Sequence, residues 1–233
     1  MTDIKFCGMT RASDAVLAAS LGARYVGCVL AEGPRRLTPQ LAAAVFAPLD
    51  PTVGPRRAVV FPTAEPTMVN AAVGLMRLHV AQLHGDPTEA DISAVRSVLG
   101  HEVWAVVRCA GGALPDGVTR LWDIADAVLL DAKVPGRLGG TGSNLPWDAL
   151  REAVQRSRQE ARRPGRLVVA GGLTPDNVGQ AIAALRPDVV DTSSGIESAP
   201  GIKDPARMAA FVQAVKTADR ASTRVPSLPA SPR

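Results

Sequence analysis

A thiol, a carboxylate and an imidazole stand at the ends of three short apolar runs. Cys7 closes Ile4–Cys7, Asp131 follows Ala127–Leu130, and His84 follows Leu78–Leu83. If these runs are strands, their side chains alternate between two faces. Ile4 and Phe6 then share one face, with Lys5 and Cys7 on the other. By the same parity Val128 and Leu130 lie opposite Asp131, while Ala81 and Leu83 lie opposite Gln82 and His84. With the apolar faces turned to helices, the polar residues converge on the other side of the sheet. A thiol and a carboxylate can divide acid and base work. A thiolate is a competent base once cations or helix N-termini lower its pKa, and a carboxyl kept protonated by an apolar wall can serve as an acid. Position alone leaves a plainer reading open, with Cys7 as a small buried hydrophobe and Asp131 as a helix cap or solvent-facing residue. Lys5 reads as half of an interior ion pair rather than as a Schiff-base amine.

A second constellation suits an anion. Ala170-Gly171-Gly172-Leu173-Thr174-Pro175 follows one apolar run, and Asp191-Thr192-Ser193-Ser194-Gly195 follows the next. Glycine lets a backbone approach a phosphate closely, and free N–H groups at a helix start bind it. Ser193 and Ser194 add hydroxyl donors. Arg35-Arg36 falls in a loop after another apolar run, where a guanidinium can grip a carboxylate through two parallel hydrogen bonds. Gly136–Gly142 reads GRLGGTG, but Ser143 follows the last glycine where a nucleotide-binding loop has lysine; it reads as a lid. The histidines are His79, His84 and His101. His79 and His84 are five apart and face opposite ways on a strand, so no zinc-like cluster forms and no metal is expected.

The elements that position these residues alternate regularly. The expected strands are Ile4–Cys7, Tyr25–Leu30, Ala58–Phe61, Leu78–Leu83, Val103–Arg108, Ala127–Leu130, Leu167–Ala170 and Val189–Asp191. The expected helices are Ser13–Leu21 capped by Ser13, one opened by Thr38-Pro39, Pro66–Val73, Thr88–Leu99, Asp116–Trp122, Trp147–Glu160, Pro175–Leu185 capped by Thr174, and Pro205–Thr217. Strict alternation implies a parallel sheet covered by helices. Eight units within residues 1–217 favour a single-domain α/β fold, the (β/α)8 TIM barrel, over an open doubly wound sheet. In such barrels the active site lies at the C-terminal ends of the strands, and the loops after strands seven and eight commonly hold phosphate. Residues 218–233, rich in Ser, Pro, Ala and Arg, read as a disordered extension.

Composition narrows the classes. The chain has 233 residues, 46% hydrophobic and 21% charged, the profile of a soluble globular domain. No apolar run reaches the roughly 20 residues of a membrane span, and MTDIKFCGMT lacks a signal-peptide pattern, so a cytoplasmic protein with no membrane partner is expected. The three cysteines, Cys7, Cys28 and Cys109, have no disulfide-like spacing. The net charge of +4 favours an anionic small molecule. Aromatics at 3% and a basic run, Arg156–Arg166, broken by Glu160 argue against nucleic acid. A monomer is the default.

IKFCGMT at 4–10, GPRRLTP at 33–39, VAQLHGD at 80–86, VLLDAKVPGRLGGTG at 128–142, AGGLTPDNV at 170–178 and DTSSGIES at 191–198 together resemble the phosphoribosylanthranilate isomerase family, in order and spacing, across residues 3–217. The resemblance implies a tryptophan-biosynthesis isomerase that converts N-(5′-phosphoribosyl)anthranilate to 1-(2-carboxyphenylamino)-1-deoxyribulose 5-phosphate by an Amadori rearrangement. No metal or organic cofactor is implied. It makes Asp131 the general acid and Cys7 the general base. Arg36 becomes the ligand of the anthranilate carboxylate, and Gln82, His84 and Asp191 line the pocket. Gly171, Gly172, Ser193, Ser194 and Gly195 match the phosphate site. The related histidine-pathway sugar isomerase, or a dual-substrate version, carries an aspartate where Cys7 stands. A non-catalytic phosphosugar-binding barrel would be expected to lose Cys7 or Asp131. Ala132 and Asn144-Leu145-Pro146-Trp147 depart from the family's usual lid residues, as do Ala31 and Glu32 in the second loop.

Overall fold

Each expected apolar run becomes a strand: β1 (Asp3–Phe6), β2 (Tyr25–Val29), β3 (Arg56–Phe61), β4 (Val80–Leu83), β5 (Glu102–Arg108), β6 (Ala127–Asp131), β7 (Arg166–Ala170) and β8 (Val189–Thr192). The coordinates are a computed structural model describing residues 1–109, 113–131 and 147–223. The strands close into one barrel in sequence order. Parallel pairing of β8 with β1, with Asp3 opposite Val189 and Lys5 opposite Asp191, closes the ring and excludes the open sheet. The helices are α1 (Ala12–Ser20), α2 (Pro39–Phe46), α3 (Pro66–Met76), α4 (Glu89–Val98), α5 (Val118–Ile124), α6 (Trp147–Glu160), α7 (Val178–Leu185) and α8 (Pro205–Thr223).

The side-chain parity is as read from the sequence. Ile4, Phe6, Ala81, Leu83, Val128 and Leu130 belong to the core between strands and helices. Tyr25, Ala58, Val80, Trp104, Val106, Ala127, Leu129, Val168, Ala170 and Val189 form a second cluster inside the barrel. Strands buried on both faces explain why the runs are almost continuously apolar. Each large aliphatic or aromatic side chain so buried contributes about 1.5–3 kcal/mol. At the N-terminal end the barrel is shut. Glu102 pairs with Arg56 and Arg166 and accepts Trp104 Nε1 at 2.9 Å. Arg166 also donates to the Tyr25 hydroxyl, and the Tyr25 and Trp104 rings meet edge-on at 4.9 Å.

Several helix ends differ from expectation: α3 runs on to Met76 rather than Val73, and α5 spans Val118–Ile124 rather than Asp116–Trp122. α1 begins at Ala12 without a side-chain cap, so Ser13 is not its N-cap. Instead Asp14, in the first turn, accepts Arg11 Nη2 at 2.8 Å and the backbone N–H of Lys203 at 3.1 Å. α7 begins at Val178 rather than Pro175. Asn177 ties the intervening turn by accepting Thr174 N–H at 2.8 Å and donating to Gly172 O at 3.1 Å. Thr174 therefore caps no helix. α8 continues to Thr223, past the expected end at Thr217. No proline or glycine interrupts Ala218–Thr223, and Asp219 accepts both the Thr2 N–H at 2.7 Å and the Thr2 hydroxyl at 2.8 Å. After β8 a short 3-10 turn, Ser194–Ile196, leads into a small antiparallel hairpin, β9 (Glu197–Ala199) and β10 (Ile202–Lys203), which the sequence reading did not anticipate.

Asp219→Ala should remove the tie between the chain start and α8. A hydrogen bond to a charged group contributes about 1.5–3 kcal/mol, discounted here by partial exposure, so a fall in melting temperature of about 2–4 °C is expected. Thermal melts beside wild type check it; an unchanged midpoint refutes the anchoring role.

Candidate active site

The first-strand residues enter the site because β2 makes room for them. Gly27 occupies an inward position, and a methyl group there would lie 3.0 Å from Cys7 Sγ and 3.3 Å from Lys5 Cε. The thiol and the lysine stem thus fill the space a side chain would take. Lys5 is buried and donates to Asp191 Oδ2 at 2.8 Å, the interior ion pair expected from the sequence. Cys7 follows β1, its N–H bonded to Thr192 O at 2.9 Å, and it too is buried. Burial pushes the thiol upward in pKa. The Lys5 charge opposes this, Asp191 reinforces it, and the net shift is up. Desolvation of a buried thiolate outweighs its nearby cation, so the condition of a lowered thiol is not met. Burial also raises the Asp191 carboxyl, against the pull of Lys5.

Asp131 ends β6 in register with Arg108 on one side and Ala170 on the other, and its carbonyl accepts Cys109 N–H at 3.0 Å. Its parity matches that of interior Leu129. The lid sequence Gly136–Gly142 lies outside the described residues, as do Ala132 and Asn144–Pro146. Gln82 and His84 come from β4 and the residue just past it. Among the described residues, Gln82 Oε1, His84 Nδ1 and Asp191 Oδ1 are buried without hydrogen-bond partners. Buried polar atoms are normally paired, so three exceptions at inward-facing positions mark a place built for polar groups. Burial also keeps His84 below the ordinary histidine range, with Asp131 opposing, so its ring is neutral at pH 7.

The loops after β7 and β8 interlock. Thr192 Oγ1 donates to Leu173 O at 2.7 Å, and a side chain on Gly195 would meet that same oxygen at 1.9 Å. Gly171 and Gly172 both adopt positive φ, 95° and 70°. Glycine at 195 thus lets the two loops meet, while the left-handed backbone at 171 and 172 favours glycine for its conformation. Ser193 and Ser194 sit on the same stretch, where a 3-10 turn begins at Ser194.

The two arginines are placed differently. Arg36 is exposed and pairs with Glu32, itself exposed, on the loop surface. Backbone pairing of Val29 with Arg36 extends this segment, so neighbouring side chains point opposite ways. Arg35 is the one turned to the site. Its stem crosses Gly8 so closely that a methyl group there would lie 2.4 Å from Arg35 Cδ and 2.6 Å from Ser193 Oγ. Gly8 has φ of 68°, a second reason for glycine. Arg35 grips Glu197 with Nε at 2.7 Å and Nη2 at 2.6 Å. Buried Lys203 donates to Glu197 Oε1 at 2.8 Å and to Ser193 O at 3.1 Å. Glu197 and Lys203 were missed because their partners are distant in sequence, and within GPRRLTP nothing distinguishes Arg35 from Arg36. No group of three or more His, Cys, Asp or Glu among the described residues is arranged to hold a metal ion.

Gly8→Ala should cost about 1–2 kcal/mol for left-handed backbone and displace Arg35. Kinetics and melting on one preparation should show both a lower midpoint and weaker substrate binding; normal binding would show that Arg35 does not need this path.

The family model described as N-(5'phosphoribosyl)anthranilate (PRA) isomerase matches residues 4–214. A curated N-(5'-phosphoribosyl)anthranilate isomerase of Pseudomonas putida is 38% identical over 219 residues, covering 92% of this chain and 97% of its own. The crystal structure of the Thermotoga maritima phosphoribosyl anthranilate isomerase superposes with a TM-score of 0.81 at 29% identity, over 93% of this chain and all of that one. Another solved structure of such an isomerase, in complex with reduced 1-(o-carboxyphenylamino)-1-deoxyribulose 5-phosphate, has a TM-score of 0.77 at 27% identity, over 93% of this chain and 100% of the other.

Proposed function

The chain belongs to the N-(5'-phosphoribosyl)anthranilate isomerase family, and on that premise we propose that it carries out the family's Amadori rearrangement in tryptophan biosynthesis with the residues gathered at its barrel mouth. The observation that carries this is the meeting, at one end of the barrel, of a buried thiol beside a cation and two interlocked glycine-rich loops.

In this reading the β7 and β8 loops take the phosphate with backbone N–H groups around Gly171, Gly172 and Gly195 and the hydroxyls of Ser193 and Ser194. Arg35, in place of Arg36, takes the anthranilate carboxylate. The unpaired polar atoms of Gln82, His84 and Asp191 receive the sugar hydroxyls. Asp131 protonates the furanose ring oxygen, the C1′–O bond breaks, and the nitrogen lone pair forms the protonated Schiff base. That positive charge acidifies the C2′ proton, which Cys7 removes as thiolate, leaving an enolamine that tautomerises to the ketone. A thiol held high is less often ionised, but its thiolate is the stronger base, and the iminium formed in the first step favours a neighbouring anion. Three buried free thiols fit a reducing compartment, and we place the reaction in the cytoplasm. One barrel carries every residue named, so a monomer suffices.

The direct test is loss of the fluorescence of N-(5′-phosphoribosyl)anthranilate on adding the purified protein; no acceleration overturns the proposal. Cys7→Ser should bind inorganic phosphate normally and lose most of kcat, because a hydroxyl is far too weak an acid to supply the base near neutral pH. Asp131→Asn should fold and bind product, yet lose about 10²–10⁴ in kcat, the worth of a general acid. Turnover within a few-fold of wild type in either variant removes that residue from the chemistry.

A further inference from the structure

We propose that Glu197 is the positioning residue of the carboxylate subsite, holding one edge of the Arg35 guanidinium so that the other edge is presented to the substrate. The proposal rests on the reading above, in which Arg35 takes the anthranilate carboxylate. A guanidinium has five N–H donors in a planar fork. Glu197 engages the side edge, Nε and Nη2, at 2.7 and 2.6 Å. The end edge, formed by Nη1 and the second Nη2 proton, is left by this geometry, and it matches a carboxylate as well as the first edge does. One arginine can therefore be anchored by a protein carboxylate and still grip a second one.

Two anions on one cation would ordinarily repel, and Lys203 resolves this. It is buried and donates to Glu197 Oε1 at 2.8 Å. Two cations against one anion leave the group net positive, so an incoming carboxylate meets attraction. Burial would raise the Glu197 carboxyl, but the hydrogen bonds and charges of Arg35 and Lys203 hold it below the ordinary range, so it stays ionised. Lys203 also donates to Ser193 O at 3.1 Å. The same buried lysine thus braces the phosphate loop and the arginine anchor, fixing the spacing between the two ends of one substrate. Arg207 holds the backbone carbonyl of Glu197 at 2.5 Å, which steadies the anchor itself.

The test is a double-mutant cycle by steady-state kinetics on the full chain with N-(5′-phosphoribosyl)anthranilate, alongside inhibition by inorganic phosphate. Arg35→Met should raise KM roughly tenfold to a hundredfold, the cost of a lost charged hydrogen-bond pair. Glu197→Gln should raise KM by about tenfold, with kcat and phosphate inhibition changed far less. Combined with Arg35→Met, Glu197→Gln should add almost nothing, because its effect passes through the arginine. Glu197→Asp keeps a charge for Lys203 but shortens the reach, so it should fold even if the glutamine variant does not, and it should still raise KM. Wild-type KM in Glu197→Asp, or fully multiplicative effects in the double variant, overturns the proposal. If Arg35→Met leaves KM unchanged, the carboxylate assignment of Arg35 fails first; if the wild-type protein has no turnover, the functional reading fails independently of both.

Discussion

The register in which the last strand meets the first is the constraint on which the rest depends. Lys5 is set opposite Asp191 inside the ring, both side chains are buried, and the two pair. Removing one partner from such a buried pair costs about 3–5 kcal/mol, since the other charge is then stranded. The pair does more than close the ring. It puts a positive charge beside the Cys7 thiol and leaves Asp191 Oδ1 uncommitted. Sliding β1 by one residue would turn Lys5 and Cys7 outward among the helices and bring Phe6 inside. Closure of the fold and assembly of the site are one event.

Residue types and period-two alternation were enough to read the strands, their inward and outward faces and the two glycine-rich loops, because these are local properties of short segments. Lys5, Cys7, Gln82 and His84 could be placed from parity alone. The misread parts depend on partners far along the chain. Ser13 looked like a cap, but Asp14 does more, through Arg11 and the backbone of Lys203. Arg36 looked equivalent to Arg35 until an extended segment beside Val29 turned the two apart. Glu197 and Lys203 stand inside or beside a recognised motif, yet only the hairpin of β9 and β10 shows what they hold. The rise in the Cys7 thiol could not be anticipated either, since it reflects desolvation by surroundings that exist only once the barrel is closed.

Glycine acts here as a permission for other groups. Gly8 lets an arginine stem cross the first loop, Gly27 lets a thiol and a lysine occupy the barrel interior, and Gly195 lets the loop after β8 rest on a carbonyl of the loop after β7. In each case the absent side chain is replaced by a functional contact from another strand or loop. These positions therefore tolerate substitution poorly, although none of the three contributes a side chain to the chemistry.

The sealed floor of the barrel has a consequence for traffic. With Tyr25, Trp104 and the Arg56–Glu102–Arg166 cluster closing the N-terminal end, the described residues leave no passage there. Whatever leaves must use the passage by which its successor arrives, so departure and arrival compete and each cycle is strictly sequential. A closed floor also denies solvent a through-path among the described residues.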